Sequence, residues 1–408
     1  MISHSAQRKI APKVVGELSE ALAQCDRAGE KVAIRGGNTL RGMGVSPRAD
    51  VVIETAKLAS LLSHERADLT AAVQAGMTIG ALSDALASCG QFVPLDAPLR
   101  RTATVGGTLA AGWLGPRRHV YGRGRDYVIG THVVLADGTI AKAGGMVVKN
   151  VTGYDMSKLY VGSFGTLGVL TQANFKMLPM LAAARAFVAR LPIATRTRAI
   201  ERVQTLQTVP SAAWVVRGFQ RDIDGDDGDD GRIIVFVEGS DAMLERTSRE
   251  LRSSLGKAGV PETRIVDAGA RDVFERTLDA YVGTVARRSI TYRVLGDAGE
   301  LDGRLDGMEA LAQRFELQAD CLGDVMNGDA ILRVHDRDDR TFSSKIEMFD
   351  DALHDLEPRA IVIAGDAPMR PVLRVWGAPP AALAQMRAIK ARFDPNNTLN
   401  PGFFVGGI

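Results

Sequence analysis

The sequence predicts an α+β fold built from two to three domains. The chain has 408 residues, and one domain takes ~100–200 residues. In residues 1–182, helix and strand patterns alternate, and glycine clusters follow strands. In residues 183–374, the order of strand and helix patterns favours a mostly antiparallel sheet with helices packed against it.

Composition and charge are those of an ordinary globular protein. Hydrophobic residues make up 46% and charged residues 24% of the sequence, as in soluble domains. The 50 basic and 48 acidic residues nearly balance, so neither nucleic acid nor an anionic membrane surface is expected as a partner. Cys25, Cys89 and Cys321 are odd in number and far apart, which fits neither a disulfide framework nor a zinc or iron–sulfur ligand set.

The sequence gives no sign of export. Its first residues, MISHSAQRKIAPK, lack the apolar core of a signal peptide. No run approaches the ~18 consecutive apolar residues that a membrane helix needs. We therefore expect a cytoplasmic protein whose cysteines stay reduced.

A first glycine corner follows the first predicted strand. Residues 16–29 have the apolar spacing of a helix, and residues 31–35 form a strand that runs into Gly36-Gly37-Asn38-Thr39. Backbone amides at such a corner can hold a phosphate. The corner is neither a P-loop, because no Gly-Lys-Ser/Thr follows, nor a G-x-G-x-x-G motif. Further strands are predicted at 50–54 and 69–74, and a helix at 78–88.

Residues 103–112, ATVGGTLAAG, have unusually small side chains. Such a run indicates that the backbone approaches something flat or bulky. A closely packed helix remains the alternative. Strands at 131–136 and 139–142 then flank Asp137-Gly138, the residues that a two-residue primed hairpin turn prefers.

The stretch from Lys149 to Pro179 contains a second glycine corner. In it, Gly162, Gly165 and Gly168 stand three residues apart, and an apolar strand follows. Glycine permits positive φ and a close approach of backbone amides to a bound molecule. A tight helix-to-strand turn without a ligand remains the alternative.

The middle segment is predicted to carry the antiparallel sheet. Strands are predicted at 185–191, 212–217, 232–238, 289–295, 330–335, 360–364 and 372–376, and helices at 195–208, 242–257, 271–282, 307–316 and 340–357. The acidic run from Asp222 to Asp230 fails the calcium-loop pattern, because Ile233 stands where the twelfth-position glutamate belongs. We interpret it as a solvated hairpin tip.

Several motifs together resemble one family. They are IRGGNT at 34–39, PLD at 94–96 with ATVGG at 103–107, RDYV at 125–128, KNVTGYDMSKL at 149–159, GSFGTLGV at 162–169 and FDPNNTLNPG at 393–402. This set is similar to PCMH-type (vanillyl-alcohol-oxidase superfamily) FAD-binding proteins, and most of all to the FAD-binding E subunit of glycolate oxidase (glycolate dehydrogenase). The resemblance implies a two-lobed FAD-binding domain over residues 1–182, a cap or substrate domain over 183–374, and a C-terminal segment, 375–408, that returns to the FAD domain.

The resemblance also implies a cofactor site for FAD. The loop 35–40 would wrap the pyrophosphate, residues 104–112 would pass along the flavin and ribityl chain, and residues 162–169 would line the adenosine and pyrophosphate side. The implied binding residues are Arg35, Gly36, Gly37, Asn38, Thr39, Leu40, Pro94, Thr104, Gly106, Gly107, Thr108, Gly112, Gly162, Gly165, Thr166, Gly168, Val169 and Asn400. Relatives with covalent flavin carry a histidine after the first Gly-Gly pair. Asn38 stands there, so non-covalent FAD is expected.

The resemblance implies an FAD-dependent oxidoreductase acting on CH–OH groups. As a complex subunit, the chain would serve the oxidation of glycolate, or a similar 2-hydroxy acid, to glyoxylate or the matching oxo acid. It would either pass electrons to a partner subunit or stabilise the assembly, beside a second flavoprotein subunit and an iron–sulfur subunit, with membrane contact only through these partners. A stand-alone oxidase or dehydrogenase of a small alcohol or 2-hydroxy acid, and a flavin-free scaffold, remain open.

No catalytic residue and no metal site can be assigned from the sequence. Related hydroxy-acid dehydrogenases carry a G-D-G-N-x-H element in the cap, which this chain lacks, and none of its six histidines pairs with another at ligand spacing. The candidates by position are His335, His119 and Tyr121 for facing the flavin, and Arg293, Arg333 and Arg374 for binding a carboxylate. A structural role remains open for each.

Overall fold

Sheets of three, five and eight strands, with one two-stranded pair, organise the described part of the chain. The structure is a computed structural model. It describes residues 7–40, 42–44, 49–147, 154–223, 230–260, 263–282, 288–336, 339–365 and 372–408. The α+β class and the large antiparallel sheet that the sequence predicts are confirmed.

The first part of the chain forms the two smaller sheets and the two-stranded pair. Its elements are β1 (Arg8–Ile10), α1 (Val15–Ala28), β2 (Val32–Arg35), β3 (Val51–Glu54), β4 (Leu61–Glu65), β5 (Thr70–Gln74), α2 (Ile79–Ala87), β6 (Gln91–Phe92), α3 (Val105–Ala110), α4 (Arg118–Tyr121), β7 (Val128–Val134), β8 (Ile140–Gly144), α5 (Ser157–Tyr160), β9 (Val169–Lys176) and β10 (Leu178–Pro179). Strands β1, β3 and β2 pair in parallel. Strands β4, β5, β9, β7 and β8 form an antiparallel sheet in that order.

Local sequence explains the helix bounds in this part. Helix α1 buries Leu18, Leu22 and Cys25 at helical spacing, and it ends at Gly29, whose φ of 70° closes the helix in the left-handed region. Helix α2 begins at Thr78, whose hydroxyl accepts a hydrogen bond from the Ala81 amide. The apolar spacing and the caps therefore mark the bounds of these helices in the local sequence.

The second part forms the eight-stranded sheet. Its elements are β11 (Ala183–Leu191), α6 (Arg196–Gln204), β12 (Ala212–Arg217), α7 (Gln220–Ile223), β13 (Gly231–Gly239), α8 (Asp241–Ala258), β14 (Arg264–Val266), α9 (Ala270–Ala280), β15 (Ser289–Val294), α10 (Leu301–Arg314), β16 (Gln318–Asp324), β17 (Ala330–His335), α11 (Asp339–Leu356) and β18 (Ala360–Gly365). The strand order is β14-β11-β13-β12-β16-β17-β15-β18, and all pairs are antiparallel.

The two faces of this sheet bury different partners. Alternate side chains of a strand point to opposite faces. One face, with Val215 and Val235, packs against α6, α8, α10 and α11. The other face, with Trp214 and Phe236, packs against α9 and also against Met43 and Trp113 of the first part. The sheet therefore forms one side of the boundary at which the candidate site lies.

The C-terminal residues return to the first sheet. After α12 (Leu383–Phe393), Leu399 pairs in parallel with Val32. The Val32 amide donates to the Thr398 carbonyl, and the Asn400 amide donates to the Val32 carbonyl, both at 2.8 Å. The predicted domain boundaries at residues 182 and 374 stay a prediction.

Two local predictions are wrong. The hairpin after β7 does not use a two-residue primed turn, because Gly138 has a positive φ and Asp137 does not. The Asp137 carboxylate instead accepts a hydrogen bond from the Thr139 amide. Residues 372–376 form no strand, because the Arg374 amide donates to the Asp350 carboxylate and the chain turns there. Strand β16 was not predicted.

Among the described residues, no helix has the length and apolar character needed to cross a membrane.

Candidate cofactor site

A cavity of about 390 Å³ lies between the first glycine corner, helix α3 and the C-terminal residues. Pockets that hold cofactors and ligands span ~300–1,000 Å³. We call it the central cavity. Its walls are formed by Ala33, Ile34, Arg35, Gly36, Gly37, Asn38, Thr39, Leu40, Met43, Ala97, Pro98, Ala103, Thr104, Gly107, Thr108, Ala110, Ala111, Trp113, Phe164, Asn400 and Phe403. Arg35 is the one ionisable side chain in this set.

The first glycine corner fits closely against the segment before α3. A Cβ atom added to Gly37 would overlap the carbonyl oxygen of Thr102, and one added to Gly36 would overlap the Thr104 hydroxyl. The next residue, Asn38, has a φ of 55°, a conformation that asparagine tolerates better than most residues. The Gly-Gly pair is thus required to bring the corner against the neighbouring backbone.

The amides of this corner have no acceptor among the described residues. The backbone N–H groups of residues 36–40 donate to no atom in the part of the chain that the structure describes. Successive amides of this kind make a binding site for an anion. With Arg35 among the residues of the same wall, this end of the central cavity suits a phosphate or diphosphate.

Asn400 holds three segments together at the cavity wall. Its Oδ1 accepts a hydrogen bond from the Ile34 amide at 2.8 Å. Its Nδ2 donates to the Phe164 carbonyl, also at 2.8 Å. One side chain therefore joins β2, the second glycine corner and the C-terminal segment.

We expect Asn400→Ala to destabilise the fold by about 2–3 kcal/mol, because two buried hydrogen bonds are lost at about 1 kcal/mol each and alanine tolerates the φ of 44° less well. We also expect FAD affinity to fall about tenfold, or about 1.4 kcal/mol. Urea unfolding and FAD titration measure the two effects.

Asn397→Ala is the matched control, because Asn397 has a similar φ of 51°, is exposed, and its side chain makes no hydrogen bond to any described residue. Equal losses in the two variants would assign the effect to backbone strain and contradict the role of the side chain.

The small-residue run forms helix α3 and also faces the cavity. Thr104 caps the helix by accepting the Gly107 amide at 3.2 Å. Gly106 packs so closely on Ala75 that a Cβ would lie 2.8 Å from the Ala75 side chain. Gly107, Thr108 and Ala111 line the central cavity. One side of the helix is thus closely packed, while the approach of the other side to a bound group stays a prediction.

The second glycine corner supports the cavity wall from behind. Its Phe164 side chain is on the wall. The amides of Gly162 and Phe164 are already bonded to the carbonyls of Leu109 and Ala110. A Cβ on Gly112 would lie 3.0 Å from the Gly162 backbone. These glycines let the corner approach α3, and the corner has fewer free amides than the first.

The structure places the predicted binding residues in two groups. On the wall of the central cavity lie Arg35, Gly36, Gly37, Asn38, Thr39, Leu40, Thr104, Gly107, Thr108 and Asn400. Behind or away from the wall lie Pro94, Gly106, Gly112, Gly162, Gly165, Thr166, Gly168 and Val169. Their assignment to FAD stays a prediction for both groups. Residues 149–153 of the KNVTGYDMSKL motif and 224–229 of the acidic run lie outside the described residues.

Aromatic wall residues were missed by sequence reasoning. The ring centroids of Phe164 and Phe403 are 5.9 Å apart. Trp376 stacks edge-on to Phe164 at 4.9 Å, and its Nε1 donates to the Phe403 carbonyl at 2.9 Å. The Phe403-Phe404 pair just after the predicted Asn400 was the signal that could have revealed this wall.

Lys390 was also missed, and it fixes the second corner to the C-terminal segment. Its Nζ donates to the Thr166 carbonyl at 2.9 Å, to the Leu399 carbonyl at 2.8 Å and to the Asp394 carboxylate at 2.5 Å. Burial lowers the pKa of Lys390, while the Asp394 charge opposes this shift. The buried lysine thus ties the second glycine corner to the segment just before Asn400.

A buried ionic cluster lies behind Trp113. The Arg293 guanidinium is 4.6 Å from the Trp113 ring centroid and pairs with Asp329 at 2.7 Å. Arg118 binds the other oxygen of Asp329 at 2.9 Å. Burial raises the pKa of Asp324, which lies 3.8 Å from Arg118, to about 7.

A second ionic group braces the boundary between the two parts. Arg117 binds Asp96 at 2.6 Å and Glu238 of β13 at 2.9 Å. Burial alone would lower the pKa of Arg117, but the charges of Asp96 and Glu238 outweigh it and raise the pKa. This arginine therefore stays charged and holds the sheet against the first part.

The candidate catalytic side chains have other partners. His119 contacts the Pro116 and Pro210 carbonyls. Tyr121 donates to Glu238 at 3.3 Å. His335 lies 3.5 Å from Asp320. Arg333 pairs with Asp320 and Asp222, and Arg374 pairs with Asp351. None of these side chains is on the wall of the central cavity, and only Arg293 reaches it indirectly.

The chemistry of the wall fits a dinucleotide. Free amides and Arg35 at one end match a diphosphate. Trp113, Met43 and Phe164 offer apolar and aromatic surface to planar rings. The Trp113 Nε1 atom is buried and has no hydrogen-bond partner among the described residues, and such donors normally find an acceptor. The described residues therefore suit a ligand with both a diphosphate and aromatic rings.

Comparison with known proteins bears on this arrangement. Residues 6–144 match the family model of the FAD binding domain, and residues 376–403 match that of the C-terminal domain of FAD linked oxidases. The chain is 27% identical to glycolate oxidase subunit GlcD of Bacillus subtilis (strain 168), over 96% of this chain and 87% of that protein.

Two further proteins are similar over different extents. Glycolate oxidase subunit GlcE of Escherichia coli (strain K12) is 36% identical over 36% of this chain, which is 42% of that protein's length. The solved structure of p-cresol methylhydroxylase has a TM-score of 0.73 at 16% identity, over 97% of this chain and 88% of that one. The last comparison concerns the fold alone.

Proposed function

We propose, from the premise that this chain is an FAD-linked oxidoreductase with a PCMH-type fold, that it is the FAD-binding subunit of a complex that oxidises glycolate or a similar 2-hydroxy acid. Electrons pass from its flavin, or through it, to a partner subunit. The matched domains confirm the predicted resemblance and the predicted cofactor, FAD. We place the complex in the cytoplasm, with any membrane contact made through the partners.

One observation carries this proposal: the central cavity joins a row of free amides to an aromatic wall, and Arg35 is the one ionisable residue among its described walls. Its described walls hold no carboxylate, histidine, lysine, tyrosine or cysteine. Removing hydrogen from an alcohol needs a group that takes the hydroxyl proton. Electron transfer between cofactors needs no such group. A relay subunit beside a second flavoprotein is therefore favoured over a stand-alone oxidase.

Each part of the wall has a task when FAD is bound. The amides of residues 36–40 and Arg35 hold the diphosphate, and the side chains of Trp113, Met43 and Phe164 exclude water from the rings. Asn400 keeps this wall in place through its two hydrogen bonds. The flavin supplies the redox chemistry, while the protein supplies binding and orientation.

We expect the purified chain to be yellow and to bind one FAD that acid precipitation releases into the supernatant. No side chain on the described wall is of the type that relatives use for covalent attachment, since Asn38 follows the Gly-Gly pair. Absorbance of the supernatant and pellet near 450 nm measures the outcome. Flavin retained in the pellet would contradict non-covalent binding, and a colourless protein that takes up no added FAD would favour the scaffold alternative.

Affinity purification of the tagged chain from its native host tests the partners. Co-purification with a second flavoprotein and an iron–sulfur protein is the expected result. Rapid turnover of glycolate with a dye acceptor by the isolated chain would instead favour the stand-alone enzyme. The same assay on the purified complex provides the comparison.

A further inference from the structure

We propose that Arg293, acting through Trp113, makes the bound flavin easier to reduce. This inference rests on the proposed function, since it takes the flavin ring to lie at the Trp113 end of the central cavity, opposite the amides of residues 36–40. Arg293 belongs to β15 of the large sheet and Trp113 to the first part of the chain. The large sheet would thus change the reduction potential of the flavin without contacting the flavin.

The geometry fixes the guanidinium behind the indole. Trp113 lines the central cavity, and the Arg293 Cζ lies 4.6 Å from its ring centroid, in cation–π contact. The Arg293 Nη2 donates to the Leu114 carbonyl and to Asp329, both at 2.7 Å. Arg293 is only 4% exposed. The positive charge therefore sits immediately behind a wall residue and cannot turn away to solvent.

The charge of Arg293 is incompletely neutralised. Asp329 is shared, because its Oδ1 accepts from Arg118 while its Oδ2 accepts from Arg293. The Arg293 Nε is buried and has no hydrogen-bond partner in the described structure. Two guanidinium groups thus compete for one well-bonded carboxylate. Asp324 compensates only in part, since it lies 3.8 Å from Arg118 and burial raises its pKa to about 7.

A positive charge in this position favours the reduced cofactor. When bound, the flavin takes up two electrons and one proton on reduction, and this form carries one more negative charge than the oxidised form. Charges in a water-poor interior interact more strongly than at the surface. Trp113 separates Arg293 from the cavity, so the effect is electrostatic and requires no hydrogen bond to the ring.

The reduction potential of the bound flavin tests this inference. In the holoprotein, Arg293→Gln keeps a polar group near Asp329 but removes the charge. We expect the equilibrium constant for reduction to fall about tenfold, which is about 30 mV for a two-electron couple. Arg293→Lys keeps the charge and should retain most of the potential. Equilibration with a reference dye under anaerobic conditions gives each value.

Arg333→Gln is the matched control. Arg333 also stacks on an aromatic ring, at 4.3 Å from Phe219, and also pairs with aspartates, but neither residue lines the central cavity. The reduction potential of the flavin in Arg333→Gln should equal that in the wild type. An unchanged potential in Arg293→Gln, or an equal shift in Arg333→Gln, would overturn the inference.

The outcomes separate this inference from the proposed function. A wild-type chain that binds no FAD contradicts both. A chain that binds FAD with a potential independent of Arg293 contradicts the inference alone. If Arg293→Gln fails to fold, Trp113→Leu provides a second measurement, the fluorescence of the bound flavin. This variant keeps the ion pair between Arg293 and Asp329. Loss of the indole should then increase the fluorescence of the bound flavin, and unchanged fluorescence would overturn the placement of the ring.

Discussion

Replacing Gly37 by alanine is expected to weaken FAD binding about 100-fold. The added Cβ would overlap the Thr102 carbonyl oxygen, and this atom belongs to backbone that cannot rotate away. Relieving such an overlap costs ~1–3 kcal/mol, and the upper end corresponds to about 100-fold in affinity. The corner must move, and the amides of residues 36–40 move with it. Titration of the flavin-free protein with FAD measures the loss.

Gly16→Ala provides the control for this change. A Cβ on Gly16 meets no atom within 4 Å, so FAD affinity should stay within about twofold of wild type, or about 0.4 kcal/mol. If Gly37→Ala bound FAD as tightly as Gly16→Ala does, the close fit of the first corner would have no part in cofactor binding.

Lys390→Met is expected to cost about 3–5 kcal/mol of folding free energy. Removing one member of a buried ion pair leaves the other charge without its partner. Here Asp394, which is 1% exposed, would keep only the amides of Thr398 and Leu399. The carbonyls of Thr166 and Leu399 would lose their donor as well. Urea unfolding, followed by circular dichroism, gives the difference in free energy.

The half-exposed pair of Lys158 and Asp155 supplies the control for this variant. The two groups are 3.1 Å apart, with side chains 49% and 51% exposed, and such surface pairs contribute ~0–1 kcal/mol. Lys158→Met should therefore have little effect. A Lys390→Met protein as stable as Lys158→Met would show that Lys390 does not connect the C-terminal segment to the second corner.

Local patterns were sufficient to predict much of the fold. Helix α1 was predicted at 16–29 and occupies 15–28, because periodic apolar residues and a final glycine define it without distant contacts. Strand β12 agrees at both ends, 212–217. Both elements carry their signal in consecutive residues.

Elements that depend on pairing partners were harder to predict. Strand β16, QADCLGD, shows no clear alternation of apolar and polar residues. It is a strand because it pairs with β12 on one side and β17 on the other. Residues 372–376, VLRVW, have the composition of a strand, but contacts with Asp350 turn the chain instead. Tertiary contacts decided both cases.

The candidate site also combines residues with a local sequence signal and residues placed by distant contacts. The Gly36-Gly37 corner is a local signal and lies on the wall of the central cavity. The bond from Lys390 to Thr166 joins residues 224 positions apart, and no spacing rule connects them. Phe403 reaches the wall because the C-terminal segment returns to the first sheet.

Binding of FAD compared with riboflavin tests the central claim most directly. The claim is that the free amides of residues 36–40 hold a diphosphate, which FAD has and riboflavin lacks. Titration of the flavin-free protein should show FAD binding at least 100-fold more tightly than riboflavin, or about 2.7 kcal/mol, with free ADP competing for the site. Equal affinities for FAD and riboflavin, with no competition by ADP, would contradict it.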